Sequence, residues 1–113
     1  GGHNIQWDRE KREIAVSYTA LESFTNPRGS VEGGMICAML DDAMGILAAL
    51  NQTAKPAATI NLSMDFFRPC EVGEVQAKAW FVKEGKTILS IESEAWQHNK
   101  LVAKTSASFI ILS

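Results

Sequence analysis

The 113-residue sequence predicts an α+β domain, one long central helix wrapped by a single antiparallel β-sheet. Three observations predict it. One stretch, residues 34–51, is long and apolar enough for a core helix. Six shorter runs carry the strand pattern, and two of the joints between them are tight hairpin signals. Nothing else in the chain can cover the helix, so the strands must form the sheet that wraps it. The length fits one domain, residues 1–113.

The elements run in the order β-β-α-β-β-β-β. Residues 4–8 place Ile5 and Trp7 on one face, and residues 12–18 do the same with Ile14, Val16 and Tyr18. The polar Arg9-Glu10-Lys11 between them forms the turn of a hairpin. Residues 23–34 make a loop rich in Asn, Pro, Gly and Ser. The helix from Gly34 to Asn51 holds Met, Ala and Leu and no Pro, and its small residues Ala38, Gly45 and Ala48 permit close packing. Apolar side chains fall on nearly every side of it, so it is expected to be buried rather than to lie on the surface. Asn51-Gln52-Thr53 through Pro56 ends it. Residues 58–68 alternate strictly, with Ile60, Leu62, Met64 and Phe66 on one face and Asn61, Ser63 and Asp65 on the other. Residues 74–83 follow a connection at 69–73. Residues 86–97 then follow Glu84-Gly85, and residues 100–112 follow His98-Asn99, the two tight turns.

Hydrophobic residues make up 46% and charged residues 21%, which suits a packed core and argues against disorder. A domain this small leaves much surface exposed, which favours association with other subunits. The net charge of −2 speaks against nucleic acid as a partner, because such proteins present a basic face. A small anionic ligand needs only a local group of Lys and Arg. Cys37, Cys70, His3 and His98 show no metal-ligand spacing, so no metal site is expected. No signal peptide is expected at the start of the chain. The apolar run over residues 35–50 is broken by Asp41 and Asp42 and is expected to be too short for a membrane span. A reducing cytoplasm is the expected compartment.

The chemistry starts from Asp41-Asp42 in the middle of the apolar helix. Neighbouring helical residues point about 100° apart, so the two carboxylates cannot share one role. A carboxylate in an apolar setting is costly unless it is paired or used. Each is therefore either a hydrogen-bonded residue at a subunit boundary or a working group. Gly33-Gly34 lies where the loop enters the helix. Free N–H groups at a helix N-terminus suit an oxyanion or an anion, although a lone Gly-Gly is more often a plain junction. Asp41 lies two turns further on, about 11 Å along the axis, too far for both features to touch one carbonyl. If they act together, they come from different subunits, and the site is shared across a dimer interface.

From Asn26-Pro27-Arg28-Gly29-Ser30-Val31-Glu32-Gly33-Gly34 to Asp41-Asp42-Ala43, the chain resembles the N-x-x-G-x-x-H-G-G-x6-D-x-A signature of hotdog-fold thioesterases of the phenylacetate-degradation (PaaI-like) type. The resemblance continues in register through residues 59–69, Gly73, Gly85-Lys86 and Lys100-Leu101-Val102-Ala103. It implies the hotdog fold and hydrolysis of an acyl-coenzyme A thioester to a free acid and coenzyme A, with no cofactor. It implies Asp41 as general base or nucleophile and the Gly33 N–H polarising the thioester carbonyl. Asn26 would help hold the carbonyl or the water, and Thr59 would orient the water. For substrate binding it implies Glu32, Gly34 and Phe66, together with the turn that carries Lys83, Gly85, Lys86, Thr87 and Ile88. Lys83 and Lys86 would meet the phosphates of coenzyme A as point charges. A homodimer or homotetramer is expected.

One position departs from the pattern: the family's His before Gly-Gly is Glu32 here. Pointing inward, its charge would oppose an oxyanion at Gly33; pointing outward, it is a loop residue. A non-catalytic acyl-coenzyme A-binding hotdog subunit is the alternative, and a protein using the fold only for assembly is a further one. Cys37 lies one turn before Asp41 with no His to activate it and is expected to be a core cysteine. His3 and His98 are expected at the surface, and Trp7, Trp80 and Trp96 in sheet or interface packing. Arg68-Pro69 fits a strand-ending turn with reach to a phosphate. Met35, Met39 and Met44 are expected to line an adaptable acyl pocket.

Overall fold

The computed structural model describes residues 2–51 and 56–112. Its elements are β1 (His3–Asp8), β2 (Glu13–Ala20), a 3-10 turn (Glu22–Phe24), α1 (Gly33–Asn51), β3 (Ala57–Phe66), β4 (Gly73–Glu84), β5 (Ile88–Gln97) and β6 (Lys100–Ile111). The six strands form one antiparallel sheet in the order β1-β2-β4-β5-β6-β3, and α1 lies across β2, β3, β4 and β5. This is the element order that the sequence predicts.

Local chemistry explains the joints. His98 and Asn99 both take positive φ, 53° and 61°, the mirror-image turn whose twist matches a two-residue hairpin. At the β1–β2 turn the Lys11 N–H donates to Asp8 Oδ1 at 3.0 Å. Between β3 and β4 the chain is tied down by the buried side chain of Gln97. Its Oε1 accepts the Glu71 N–H at 2.8 Å, and its Nε2 donates to the carbonyls of Glu71 and Glu74 at 2.8 and 3.2 Å. A buried amide is stable only when its donors and acceptor are satisfied in this way. Turning at Gly85, whose N–H donates to the Ile88 carbonyl at 2.9 Å, delays the start of β5 from the expected residue 86 to Ile88.

The core lies between helix and sheet. Val16, Val75, Leu89, Ile91 and Phe109 from the strands are buried with Leu40, Ala43, Met44 and Leu47 of α1. Ala77 and Ala79 on β4 are buried too, and their small side chains let the helix approach the sheet. Only part of the helix is covered. Gly34, Met35, Ala38, Asp42 and Ala49 are exposed, so the expected burial on all sides is not met within one subunit. A single sheet curves round one side of a helix and leaves the other open. The 18 residues Gly33–Leu50 are long and apolar enough to cross a membrane, contrary to the expectation from the shorter run; here they form the core helix.

The strict alternation expected across residues 58–68 fails at one residue. The β3–β6 register shifts between Thr59 and Asn61, which makes Ile60 the extra residue of a β-bulge, 55% exposed. Past the bulge, Leu62, Met64 and Phe66 pair with Ala107, Thr105 and Ala103, all buried. Before it, Thr59 pairs with the buried Phe109. Thr59 therefore faces the helix, where uninterrupted alternation would have turned it outward with Asn61. The predicted end of the helix falls partly on residues 52–55, which lie outside the described residues.

Candidate active site

The bulge builds the first half of the site. Facing the helix, Thr59 Oγ1 donates a hydrogen bond of 2.8 Å to Asp41 Oδ1. The half-buried Asp41 carboxylate is thereby oriented through one oxygen, leaving Oδ2 to accept a proton. Its neighbour goes the other way. Asp42 Oδ2 accepts a 2.6 Å hydrogen bond from the hydroxyl of Tyr18 on β2. Burial, with the Asp42 hydrogen bond and charge adding to it, pushes the Tyr18 phenol far above its usual range, so it remains a donor. The 100° between adjacent helical residues thus separates a carboxylate on the β3 side from one on the β2 side. Tyr18 was absent from the sequence-based candidates. Its only signal was its place on the inward face of β2, which does not say what it would meet. The thiol of Cys37 is pushed up by burial and then by the Asp41 charge, as fits an unreactive cysteine.

The second half lies at the helix N-terminus. The N–H groups of Met35 and Ile36 both turn back to the Glu32 carbonyl, at 3.0 and 3.3 Å. The amides of Gly33 and Gly34 stand in the first turn with no backbone acceptor among the described residues. The ring of Phe66 covers Gly33, where a Cβ would come within 2.9 Å of the Phe66 Cζ; Gly34 faces open space. Asn26 shapes the loop before the helix. Its Oδ1 accepts the N–H groups of Arg28 and Ser30 at 2.9 and 3.3 Å, which leaves the side-chain NH2 as the group able to face a ligand. The Glu32 N–H is held by the Phe24 carbonyl at 2.8 Å, and its side chain is exposed.

These halves are far apart. Thr59 and Phe66 stand near opposite ends of β3, roughly 20 Å apart along the strand. The turn expected to bind substrate sits with the carboxylate half, because Leu89 pairs with Phe109 just as Thr59 does. Lys83, Gly85, Lys86, Thr87 and Ile88 therefore lie at the end of the sheet away from Phe66, and one subunit does not bring these binding candidates together. Beside the open side of the helix runs a cleft of about 480 Å³, lined by Leu21, Phe24, Met35, Ala38 and Met39 with Asp42 and Tyr18 at its wall. Met44, expected in such a pocket, is fully buried in the core instead. Among the described residues, no three His, Cys, Asp or Glu side chains converge on a possible metal position.

Known proteins share the chain's family pattern and its fold. The pattern described as Thioesterase superfamily matches residues 28–104. An uncharacterized acyl-CoA thioester hydrolase of Zymomonas mobilis is 36% identical over 86 residues, which cover 75% of this chain and 58% of that protein. The chain thus spans little more than half the length of that relative. A phenylacetic acid degradation-related protein of Ralstonia eutropha superposes with a TM-score of 0.93 at 33% identity, covering 97% of this chain and 84% of that one. A Streptococcus mutans protein solved with acetyl-CoA shares the fold, with a TM-score of 0.85 at 20% identity over 98% of this chain and 90% of its own. Matched over well over half its length, and sharing one fold from end to end, the chain belongs to the thioesterase superfamily and is a hotdog domain.

Proposed function

We propose that this chain is a subunit of an acyl-coenzyme A thioesterase whose active sites each take residues from two subunits. The observation that carries this reading is the Thr59–Asp41 hydrogen bond, which orients a carboxylate beside the open side of the helix. Support comes from the Zymomonas relative, named an acyl-CoA thioester hydrolase, and from the Streptococcus mutans relative, which holds acetyl-CoA. Further support comes from the sheet edge. β3 is an edge strand with an unpaired row of backbone groups, a template for pairing with another chain. Two copies of β3 paired antiparallel about a two-fold axis at Ser63, with Ile60 bulged out of each strand, bring Thr59 of each beside Phe66 of the other. Each Asp41 then meets the Gly33 amide of the partner subunit, and the turn 85–88 meets the partner's Phe66.

In such a site the thioester oxygen lies against the Gly33 N–H at the positive end of the helix. Asp41 of the partner subunit takes a proton from water as the water oxygen attacks the carbonyl carbon. The oxyanion that forms is held by the Gly33 amide, a donor of a kind worth about 3 kcal/mol. Collapse breaks the C–S bond, and Asp41 returns its proton to the departing thiolate of coenzyme A. Direct attack by Asp41 to give an anhydride, which water then cleaves, uses the same groups and yields the same products. The apolar cleft beside Met35 and Met39 is the place for the acyl group.

The test has two parts. A panel of short, long and aromatic acyl-coenzyme A esters should release thiol, whereas bound coenzyme A without thiol release would mark a binding subunit instead. Asp41→Asn and Gly33→Val subunits, each inactive alone, should recover about a quarter of the wild-type rate when mixed equally and allowed to exchange. A mixture that stays inactive although the subunits exchange places the whole site in one chain and overturns the shared arrangement.

A further inference from the structure

The cleft beside the open side of the helix holds one charge. Its helical wall is Met35, Ala38, Met39 and Asp42, which fall at i, i+3, i+4 and i+7 and so share one face. Among the described residues that line it, Asp42 alone is charged, and no Lys, Arg or His comes within ion-pair distance of that carboxylate. We propose that Asp42 determines acyl specificity: the cleft takes a medium-length aliphatic acyl group whose far end carries a hydroxyl, and turns away one whose far end carries a carboxylate. This assignment deepens the acyl-coenzyme A reading above and rests on it.

Asp42 is held ready for such a contact. Tyr18 is buried on β2, where it pairs with the buried Val75 of β4, and its hydroxyl donates to Asp42 Oδ2 at 2.6 Å. That bond fixes the carboxylate and leaves the lone pairs of Oδ1 for a ligand. An acceptor with no donor of its own can bind a hydroxyl but repels a carboxylate, and an apolar wall beside it strengthens both effects. Asp42 also falls at the open position of the D-x-A signature, between Asp41 and Ala43, so the shared chemistry leaves it free for substrate choice. The helix sets the length. Asp42 is nine residues beyond Gly33, about 14 Å along the axis. Its side chain leans back toward the N-terminus, and a hydrogen bond at each end takes up part of the span, leaving about 10 Å for the acyl group. At about 1.2 Å per bond of an extended chain, that is roughly eight bonds. An eight-carbon acyl group therefore brings a terminal hydroxyl to Asp42, and a four-carbon one ends among the side chains of Met35 and Met39.

The experiment compares the coenzyme A esters of octanoate, 8-hydroxyoctanoate and octanedioate, with those of butanoate and butanedioate as a short control pair. In wild type, kcat/KM for the hydroxyl-ended ester should exceed that for octanoyl by about threefold, and the carboxylate-ended ester should fall about tenfold below octanoyl, both through KM. Asp42→Asn keeps an acceptor for Tyr18 and presents an NH2 to the cleft in place of the free oxygen. The ratio of carboxylate-ended to hydroxyl-ended kcat/KM should then rise about thirtyfold. Tyr18→Phe keeps the charge but frees the carboxylate to turn, and should raise the same ratio by about threefold. The four-carbon pair, too short to reach Asp42, should keep its wild-type ratio in both variants. A residue that only braces the helix would change all esters alike, so an unchanged eight-carbon ratio in Asp42→Asn overturns the proposal. An equal shift in the four-carbon pair overturns it too, as does turnover confined to that pair. If no ester releases thiol, the proposed function fails instead. Calorimetry with thioether analogues carrying the same three eight-carbon groups then still decides whether Asp42 tells a hydroxyl from a carboxylate.

Discussion

Asp41 and Asp42 are adjacent in the chain and differ in what they touch, so their substitutions should differ too. Asp41→Asn keeps the shape and can still accept from Thr59, but it cannot take a proton or attack a carbonyl. Turnover should fall about 100- to 10,000-fold with the fold intact, measured by thiol release and circular dichroism. Asp42→Asn keeps an acceptor for the Tyr18 hydroxyl and should change turnover by less than about threefold; equal losses would reverse the two assignments. Glu32 is a different case. Its backbone is held by Phe24 on one side and caps the helix on the other, while its side chain is exposed one residue before Gly33. Removing that charge with Glu32→Gln should raise kcat/KM for an anionic coenzyme A ester by about two- to fivefold. An unchanged value would mean that the carboxylate faces away from the substrate. Of these relations, the sequence alone offered the spacing of Gly33 and Asp41 and their family resemblance. The bond from Tyr18 to Asp42 joins residues whose meeting depends on how β2 lies under the helix, and no local pattern encodes it.

Elements were legible wherever their cause was local. His98-Asn99 announces its turn because both residues tolerate positive φ, and the helix announces itself by its composition. The bulge at Ile60 was not legible, because an extra residue in a ladder is defined by the partner strand. Its effect can be measured. Thr59→Val keeps the bulged strand and removes only the hydroxyl that the bulge turns toward Asp41, and should lower turnover about tenfold while thermal unfolding changes little. Retained activity would show that the Thr59 hydroxyl is dispensable. The connection before β4 has a different weak point. Gln97→Ala would leave the Glu71 amide and two carbonyls without their partner, and should cost about 2–3 kcal/mol in denaturant unfolding. A loss under 0.5 kcal/mol would mean that water replaces these bonds.

At the scale of the molecule, the helix composition carried an ambiguity that one chain cannot resolve. Apolar residues all round a helix can be covered by its own sheet or by another subunit, and both look the same in sequence. Here the sheet covers one side, and Gly34, Ala38 and Ala49 remain in the open. The proposed pairing through β3 would put Ser63 at the two-fold axis, so Ser63→Cys should form a disulfide-linked dimer on mild oxidation, seen on a non-reducing gel. The same substitution at Ser106, inside the sheet on β6, should remain monomeric on that gel. If the site is divided as proposed, each polypeptide carries two unlike halves and no complete catalyst. Specific activity would then depend on abundance: below the dissociation constant of the pair, dilution would switch the protein off without any loss of the fold. Dosage would set not only how many enzymes a cell has, but whether its folded chains count as enzymes at all.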